Sequence, residues 1–182
     1  MIAAGQKIRD TVDHTQLMAL LVDDAERNQL LLDTILALHL DRSLVLTERV
    51  EHSKALAVAL SNAGIRASSL TGDVAKGARS VILGQLREGS LPIMVSTPQL
   101  VGEGFDLPTI DTVFLAAPNG NIAKTTQILG RVLRPAPGKD RGRIVDFRDD
   151  SVPNLRYAGT ARDRVYRVFE RSGLPLQQRK SA

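Results

Sequence analysis

The chain of 182 residues contains no cysteine and no tryptophan, and only 3% of its residues are aromatic. Without cysteine, neither a disulfide scaffold nor a cysteine-ligated zinc site can form. The three histidines, His14, His39 and His52, lack the spacing of metal ligands, so no metal site is predicted. The shortage of aromatic residues argues against a single-strand binder built on stacking platforms.

Long apolar runs are also missing. No run of about 18 apolar residues, enough to span a bilayer, occurs, and the N-terminus lacks a basic-then-apolar signal pattern. We therefore expect a reducing, cytoplasmic setting. Hydrophobic residues at 43% and charged residues at 24% are ordinary for a globular domain, and the net charge of +4 favours a polyanionic partner.

Short apolar runs alternate with helical segments from Arg42 onward, which predicts an α/β fold with a mostly parallel sheet covered by helices on both faces. The predicted strands are 43–47, 65–70, 92–96, 111–116 and 142–147. The predicted helix 49–62 faces the core with Ser53, Leu56, Ala57 and Leu60, and the helix 75–87 with Ala78, Val81, Ile82 and Leu86.

Two flanking segments differ from this central domain of residues 42–150. Residues 1–41 are predicted to form a helical lead-in, with Asp23 or Asp24 as a helix cap. Residues 151–182 are predicted to form a basic helix and tail that could contact phosphates, or could equally be a solvated helix with a frayed end. Its bases are Arg156, Arg162, Arg164, Arg167, Arg171, Arg179 and Lys180, against the acids Asp163 and Glu170.

Three loops follow the carboxyl ends of predicted strands, where α/β sheets carry their function. They span 47–49, 71–73 and 97–108. Their hydroxyls and amides can bind phosphate, and Gly102 and Gly104 let the main chain approach a ligand. Asp106 could accept a hydrogen bond from a ribose hydroxyl or hold an arginine. The alternative is that the stretch around Asp106 is only a turn into the next strand.

A helix ending before Pro135 carries a basic face made of Lys124, Gln127, Arg131 and Arg134. The opposite face, Ile122, Thr126, Leu129, Val132 and Leu133, is predicted to pack on the sheet, and Asn119 or Asn121 to cap the helix. Two guanidiniums on one face suit an oxyanion with charge spread over several oxygens. The alternative is a solvated basic face.

A phosphate-binding P-loop is absent. The stretch from Gly72 to Gly77 has the glycine spacing of that loop, but it continues as Ala78-Arg79, without the required lysine and hydroxyl. No Asp-Glu pair follows an apolar strand to hold magnesium either. The chain has arginines that could complete a phosphoryl-transfer site and lacks the parts that would build one.

The strand 43–47, the segment 95–108 (VSTPQLVGEGFDLP) and the segment 127–134 (QILGRVLR) have the order and spacing of motifs IV, V and VI of superfamily 2 helicases. The chain thus resembles the C-terminal, second RecA-like domain of these enzymes, and it is similar to the branch that contains DNA repair and restriction motors. The resemblance implies a three-layer RecA-like domain of the P-loop NTPase superfamily without its own P-loop.

The resemblance also implies roles for individual residues. Arg131 would be the arginine finger and Arg134 its neighbour on the triphosphate, with Gln127, Glu103, Gly104 and Asp106 at the nucleotide. Thr97, Thr71, Gly72, Thr47 and Arg49 would face the nucleic acid, more readily DNA than RNA. ATP and Mg²⁺ would be held mainly by a separate N-terminal ATPase domain, so that this chain is inactive alone. An accessory subunit and a non-catalytic nucleic-acid-binding module remain open.

Overall fold

Five short strands form one parallel sheet in the computed structural model, in the order β2-β3-β1-β4-β5. They are β1 (Ser43–Leu46), β2 (Ala67–Leu70), β3 (Ile93–Ser96), β4 (Thr112–Leu115) and β5 (Arg143–Asp146). The predicted parallel sheet is confirmed, with each strand slightly shorter than predicted. The structure describes residues 13–39, 42–102, 110–132, 134, 139 and 142–171.

Helices cover both faces of this sheet. They are α1 (His14–Asp23), α2 (Ala25–Leu38), α3 (Val50–Asn62), α4 (Lys76–Glu88), α5 (Pro98–Gly102), α6 (Ile122–Val132) and α7 (Pro153–Arg171). Alternate strand residues point to opposite faces. One face packs Val45 and Phe114 against α2 and α3, whereas the other packs Leu44 and Val113 against α4 to α7. Because β1, β3 and β4 are buried throughout, they read as continuous apolar runs.

The predicted start of α2 is confirmed, and so are the predicted inner face and end of α3. The Asp24 carboxylate caps α2 by accepting a hydrogen bond of 2.9 Å from the Arg27 amide. The predicted core residues of α3 are all buried, and the helix ends just before Gly64, whose φ of 90° favours glycine. None of the helices in the described ranges is long and apolar enough to cross a membrane.

Two predictions about local structure are wrong. In α4 the buried residues are Leu83 and Leu86, with Ile82 partly buried, whereas Val81 is 58% exposed and Ala78 is also exposed. The helix covers edge strand β2, so a narrow stripe suffices. The segment after β3 begins as the short helix α5 rather than as a loop. Residues 103–109, including Glu103, Gly104 and Asp106, lie outside the described residues.

Arg162 was predicted in the basic tail, but it lies in the core with 2% exposure. Its Nε and Nη2 atoms meet the Asp146 carboxylate at 3.0 and 2.8 Å, and its guanidinium donates to the carbonyls of Ala117 and Phe147, each at 3.1 Å. The Tyr166 hydroxyl donates to Asp146 at 2.8 Å. Arg162 therefore joins α7 to the carboxyl ends of β4 and β5, and it is unavailable to phosphate.

Arg27 approaches the same region from α2, on the other face of the sheet. It is 5% exposed, and its Nε and Nη2 atoms donate to the Asp149 carboxylate at 2.7 and 3.0 Å. Its Nη2 atom also donates to the Ala116 carbonyl at 2.8 Å. The loop between β4 and α6 is thus held by a buried guanidinium from each side, because Arg162 binds the next carbonyl along the chain, that of Ala117.

Candidate functional site

Helix α6, which carries the basic face, begins at an ordered turn. The Asn119 side-chain oxygen accepts from the Asn121 amide at 2.8 Å, and the Asn121 side-chain oxygen accepts from the Lys124 amide at 3.0 Å. Asn121 is therefore the N-cap, one of the two residues that the sequence predicts. Arg162 also donates to the Asn119 carbonyl at 3.4 Å, so the start of α6 is tied to the buried arginine.

The two faces of α6 separate largely as predicted. Along one side of the helix, Gln127 is exposed and Lys124 and Arg131 are half-buried, and Arg134, just beyond the helix, is exposed. The packed side is made of Thr125, Ile128, Leu129 and Val132. The prediction that Ile122 and Thr126 belong to this packed side is wrong. Ile122 is 40% exposed in the first turn, and the Thr126 hydroxyl donates to the Ile122 carbonyl at 2.8 Å. Leu133 lies outside the described residues.

Arg131 and Arg134 have different surroundings. The Arg131 Nη1 atom donates to the Val101 carbonyl in α5 at 3.1 Å. This hydrogen bond holds one terminal nitrogen of the guanidinium against the segment that follows β3. Arg134 lies just beyond the helix, and its side chain is exposed. A guanidinium has five N–H donors, of which the contact with Val101 uses one, and Arg131 takes part in a further interaction. Lys139 Nζ donates to the Val132 carbonyl at the end of α6, where a cation is favourable.

Three threonines form a row at the carboxyl edge of the sheet. Thr71, Thr97 and Thr47 each follow the last residue of their strands, and these last residues pair in register, Leu70 with Ser96 and Ser96 with Leu46. Adjacent strands lie about 4.8 Å apart, so the three residues stand side by side. The structure thus brings together three predicted nucleic-acid-binding residues from separate loops.

The threonines in this row are not equally accessible. Thr47 and Thr71 are fully buried, with the Thr47 hydroxyl donating to the Arg49 carbonyl at 3.1 Å and the Thr71 hydroxyl donating to Asp73. These two hydroxyls therefore shape their loops, whereas Thr97 is half-buried and Gly72 is exposed. Arg49 is half-buried, and its Nη2 atom donates to the Thr15 carbonyl at 2.6 Å.

The loop at Gly72 also contains an exposed ion pair. Lys54 and Asp73 lie 2.5 Å apart, and this hydrogen bond, with that from Thr71, lowers the pKa of the Asp73 carboxyl to about 2. The carboxylate is therefore charged at neutral pH, which leaves the Thr71 loop with a fixed negative group at its tip.

No cluster of His, Cys, Asp or Glu able to hold a metal ion occurs within the described part of the chain.

Comparison with known proteins identifies the class to which this fold belongs. Residues 26–136 match the family model of the helicase conserved C-terminal domain. This match covers more than half of the chain, so the chain belongs to that family. The C-terminal domain of the DEAD-box protein Dbp5 has the same fold, with a TM-score of 0.68 at 18% identity, over 86% of this chain and 84% of that one.

The chain is also similar in sequence to a viral protein and to a yeast protein. The chain is 30% identical over 148 residues to transcript termination protein A18 of Camelpox virus, covering 79% of this chain and 30% of the relative. It is 28% identical over 146 residues to the putative ATP-dependent helicase IRC3 of Saccharomyces cerevisiae, covering 77% of this chain and 21% of the relative. The chain thus spans less than a third of the length of these relatives.

Proposed function

We propose that this chain is the C-terminal half of an ATP-dependent helicase or translocase acting on nucleic acid. The observation that carries the proposal is the position of Arg131, whose guanidinium is held on the Val101 carbonyl, with exposed Gln127 one turn earlier on α6 and exposed Arg134 just beyond the helix. A positioned arginine, with a second arginine nearby, can stabilise charge on a transferring phosphoryl group. The family of the chain supports this role.

The nucleotide would lie between two domains. ATP and Mg²⁺ would be bound mainly by an N-terminal ATPase domain, since this chain has no P-loop. Arg131 would act as the arginine finger, with Arg134 and Gln127 beside it and Glu103, Gly104 and Asp106 shaping the edge toward the ribose and phosphates. By itself the chain would not hydrolyse ATP. Closure of the two domains would then couple hydrolysis to movement along a strand.

The nucleic acid would run along the carboxyl edge of the sheet, across the row of threonines. Half-buried Thr97 and exposed Gly72 can present a hydroxyl and backbone amides to phosphates. The buried Thr47 and Thr71 hold these loops in shape through their contacts with Arg49 and Asp73. We propose DNA as the nucleic acid that is bound, with RNA as the alternative.

The finger is tested in the protein that joins this chain to its ATPase domain. Arg131→Ala should lower the kcat of nucleic-acid-stimulated ATP hydrolysis by on the order of 10³-fold, because the developing charge loses its donor. Arg87→Ala removes an equally charged residue from the exposed C-terminal turn of α4 and is the matched control. An undiminished rate in the Arg131 variant would show that the finger assignment is wrong.

The track is tested separately on the same protein. Thr97→Val keeps the shape of the side chain and removes its hydroxyl, so it should weaken binding of single-stranded DNA by about 5-fold, the loss of one hydrogen bond. The KM for ATP without nucleic acid should stay the same. Parallel titrations with RNA of matched sequence compare the two substrates. Unchanged affinity for both nucleic acids would remove Thr97 from the track.

A further inference from the structure

Helix α7 carries a row of exposed arginines that the proposed nucleotide and threonine sites do not use. Arg156, Arg164, Arg167 and Arg171 are all exposed. At about 100° per residue they lie within roughly 80° of one another around the helix axis. We name these four residues the α7 arginine stripe. At about 1.5 Å per residue, the stripe is about 22 Å long.

The stripe is not neutralised by its own helix. Arg164, Arg167 and Arg171 make no hydrogen bond or ion pair within the described ranges of the chain. Asp163 borders the stripe, but its carboxylate accepts from Arg148 at 2.8 Å, and Glu170 is also engaged in an interaction. Like charges three and four residues apart repel and destabilise a helix. A partner with negative charge would remove this repulsion.

The position of the stripe connects it to the carboxyl edge of the sheet. Arg156, at its first end, donates from Nε to the Asp150 carbonyl at 2.6 Å, in the loop that follows β5. Strand β5 lies two strands from β1 in the sheet. The end of β5 is therefore about 10 Å from Thr47, the nearest threonine of the row. The stripe therefore starts at the edge where the threonine loops end and runs away from it along the outside of α7.

We propose that the α7 arginine stripe binds the phosphate backbone of nucleic acid, as a second contact surface beyond the threonine loops. A row of guanidiniums along one side of a helix suits a linear polyanion, because each guanidinium can bind a phosphate through two parallel hydrogen bonds. Its length equals the axial rise of about six phosphates of one strand in duplex DNA, at about 3.4 Å each. The contacts involve no base edge, so the surface binds without sequence preference. This inference rests on the proposed function, since both require a nucleic-acid partner.

The test measures how salt weakens binding of this chain to labelled oligothymidylate, by fluorescence anisotropy. Replacing Arg164 and Arg167 with glutamine should reduce the slope of log Kd against log salt by roughly 1.4, since each phosphate contact on a single strand contributes about 0.7. Arg66→Gln with Arg87→Gln removes the same charge from two exposed arginines at the opposite, amino edge of the sheet. This control should keep the slope of the wild-type chain.

The outcomes separate the stripe from the function on which it rests. Equally reduced slopes in the two double variants would overturn the stripe, because net charge rather than position would then explain the binding, and an unchanged slope in the α7 variant would overturn it as well. If Thr97→Val weakens binding and the α7 variant does not, the threonine track stands and the stripe fails. If the wild-type chain binds neither oligothymidylate nor duplex DNA at low salt, the stripe is overturned. The finger assignment would still stand if Arg131→Ala lowers the rate of ATP hydrolysis in the protein that includes the ATPase domain.

Discussion

Two groups of arginines in this chain have opposite surroundings. Arg27 and Arg162 lie in the core, and each is paired with a carboxylate at the end of β5 or in the loop after it while donating to the β4–α6 loop. The arginines of the α7 stripe project from the surface, and Arg164 lies only two residues from Arg162. Neighbouring residues of one type thus either build the fold or remain available to a partner, and helix periodicity decides which.

The largest effect should follow from breaking the buried pair on α7. Arg162→Met leaves the Asp146 carboxylate buried without its cation and removes the donors to Ala117 and Phe147. Burial already raises the pKa of Asp146, and Arg162 opposes that rise. We expect a loss of about 3–5 kcal/mol in the free energy of unfolding, measured by urea denaturation.

The double variant Arg162→Met with Asp146→Leu is the natural control. It removes both charges together, so it should recover most of the loss. Burial and the Asp146 carboxylate raise the pKa of Tyr166, so this hydroxyl would remain protonated and would lose its acceptor in the double variant. A single variant as stable as the wild-type chain would contradict the structural role of Arg162.

The next effect depends on pH and involves a histidine beside the other buried arginine. His52 is buried, and burial together with the charge of Arg27 lowers its pKa from 6.5 to about 4. The Asn28 amide donates to Val22, so its oxygen faces His52 Nε2 at 2.9 Å and accepts from the neutral ring. The unfolded chain then binds more protons between about pH 4 and 6.5, so stability present above pH 6.5 is lost as the pH falls.

This loss should approach about 3 kcal/mol by pH 4, at about 1.36 kcal/mol per pKa unit. Urea denaturation at stepwise pH measures it, and His52→Gln, which keeps a donor for Asn28, should flatten the curve over this window. Asp73 titrates lower and falls outside it. Parallel curves for the variant and the wild-type chain would mean that His52 is not the titrating group.

Breaking the buried pair on α2 should cost less than breaking the pair on α7. Arg27→Met removes the partner of Asp149, but this side chain is 12% exposed, so the carboxylate can regain water. We expect a loss of about 2 kcal/mol, mostly from unpaired hydrogen-bonding groups. The variant should also raise the pKa of His52, followed by NMR titration of its ring. Arg42→Met, which separates a long 4.0 Å pair with Asp111 whose side chains are 29% and 17% exposed, is the control and should change stability by under about 1 kcal/mol.

Much of the fold could be predicted from the sequence because its signals are local. Apolar runs give the parallel strands, the inner face of α3 follows helical spacing, and capping residues mark helix ends. The site was predicted less completely. Gln127, Arg131 and the threonine row are positioned by elements that local patterns describe, but the burial of Thr47 and Thr71 depends on how separate loops close over the sheet edge.

The burial of Arg27 and Arg162 is signalled by their positions on a helix face and not by their residue type, since arginine is usually exposed. Arg162 lies four residues after Ala158 and four before Tyr166, both buried, so it belongs to the apolar face of α7. Asp146, a carboxylate within an apolar strand, signals the need for a cation. Arg27 likewise precedes buried Leu31 by four residues. The pairing itself joins residues distant in sequence, and no local pattern encodes that distance.

The smallest effect on stability should come from the α7 arginine stripe. Arg164→Gln with Arg167→Gln should change the free energy of unfolding by under about 0.5 kcal/mol, and in the stabilising direction at low salt, because two repelling charges are removed. Raising the salt concentration should erase the gain, since exposed charges are screened. A loss above about 1 kcal/mol would mean that these residues hold the fold as Arg162 does. The division between structural and available arginines would then fail on the helix where it is drawn most sharply.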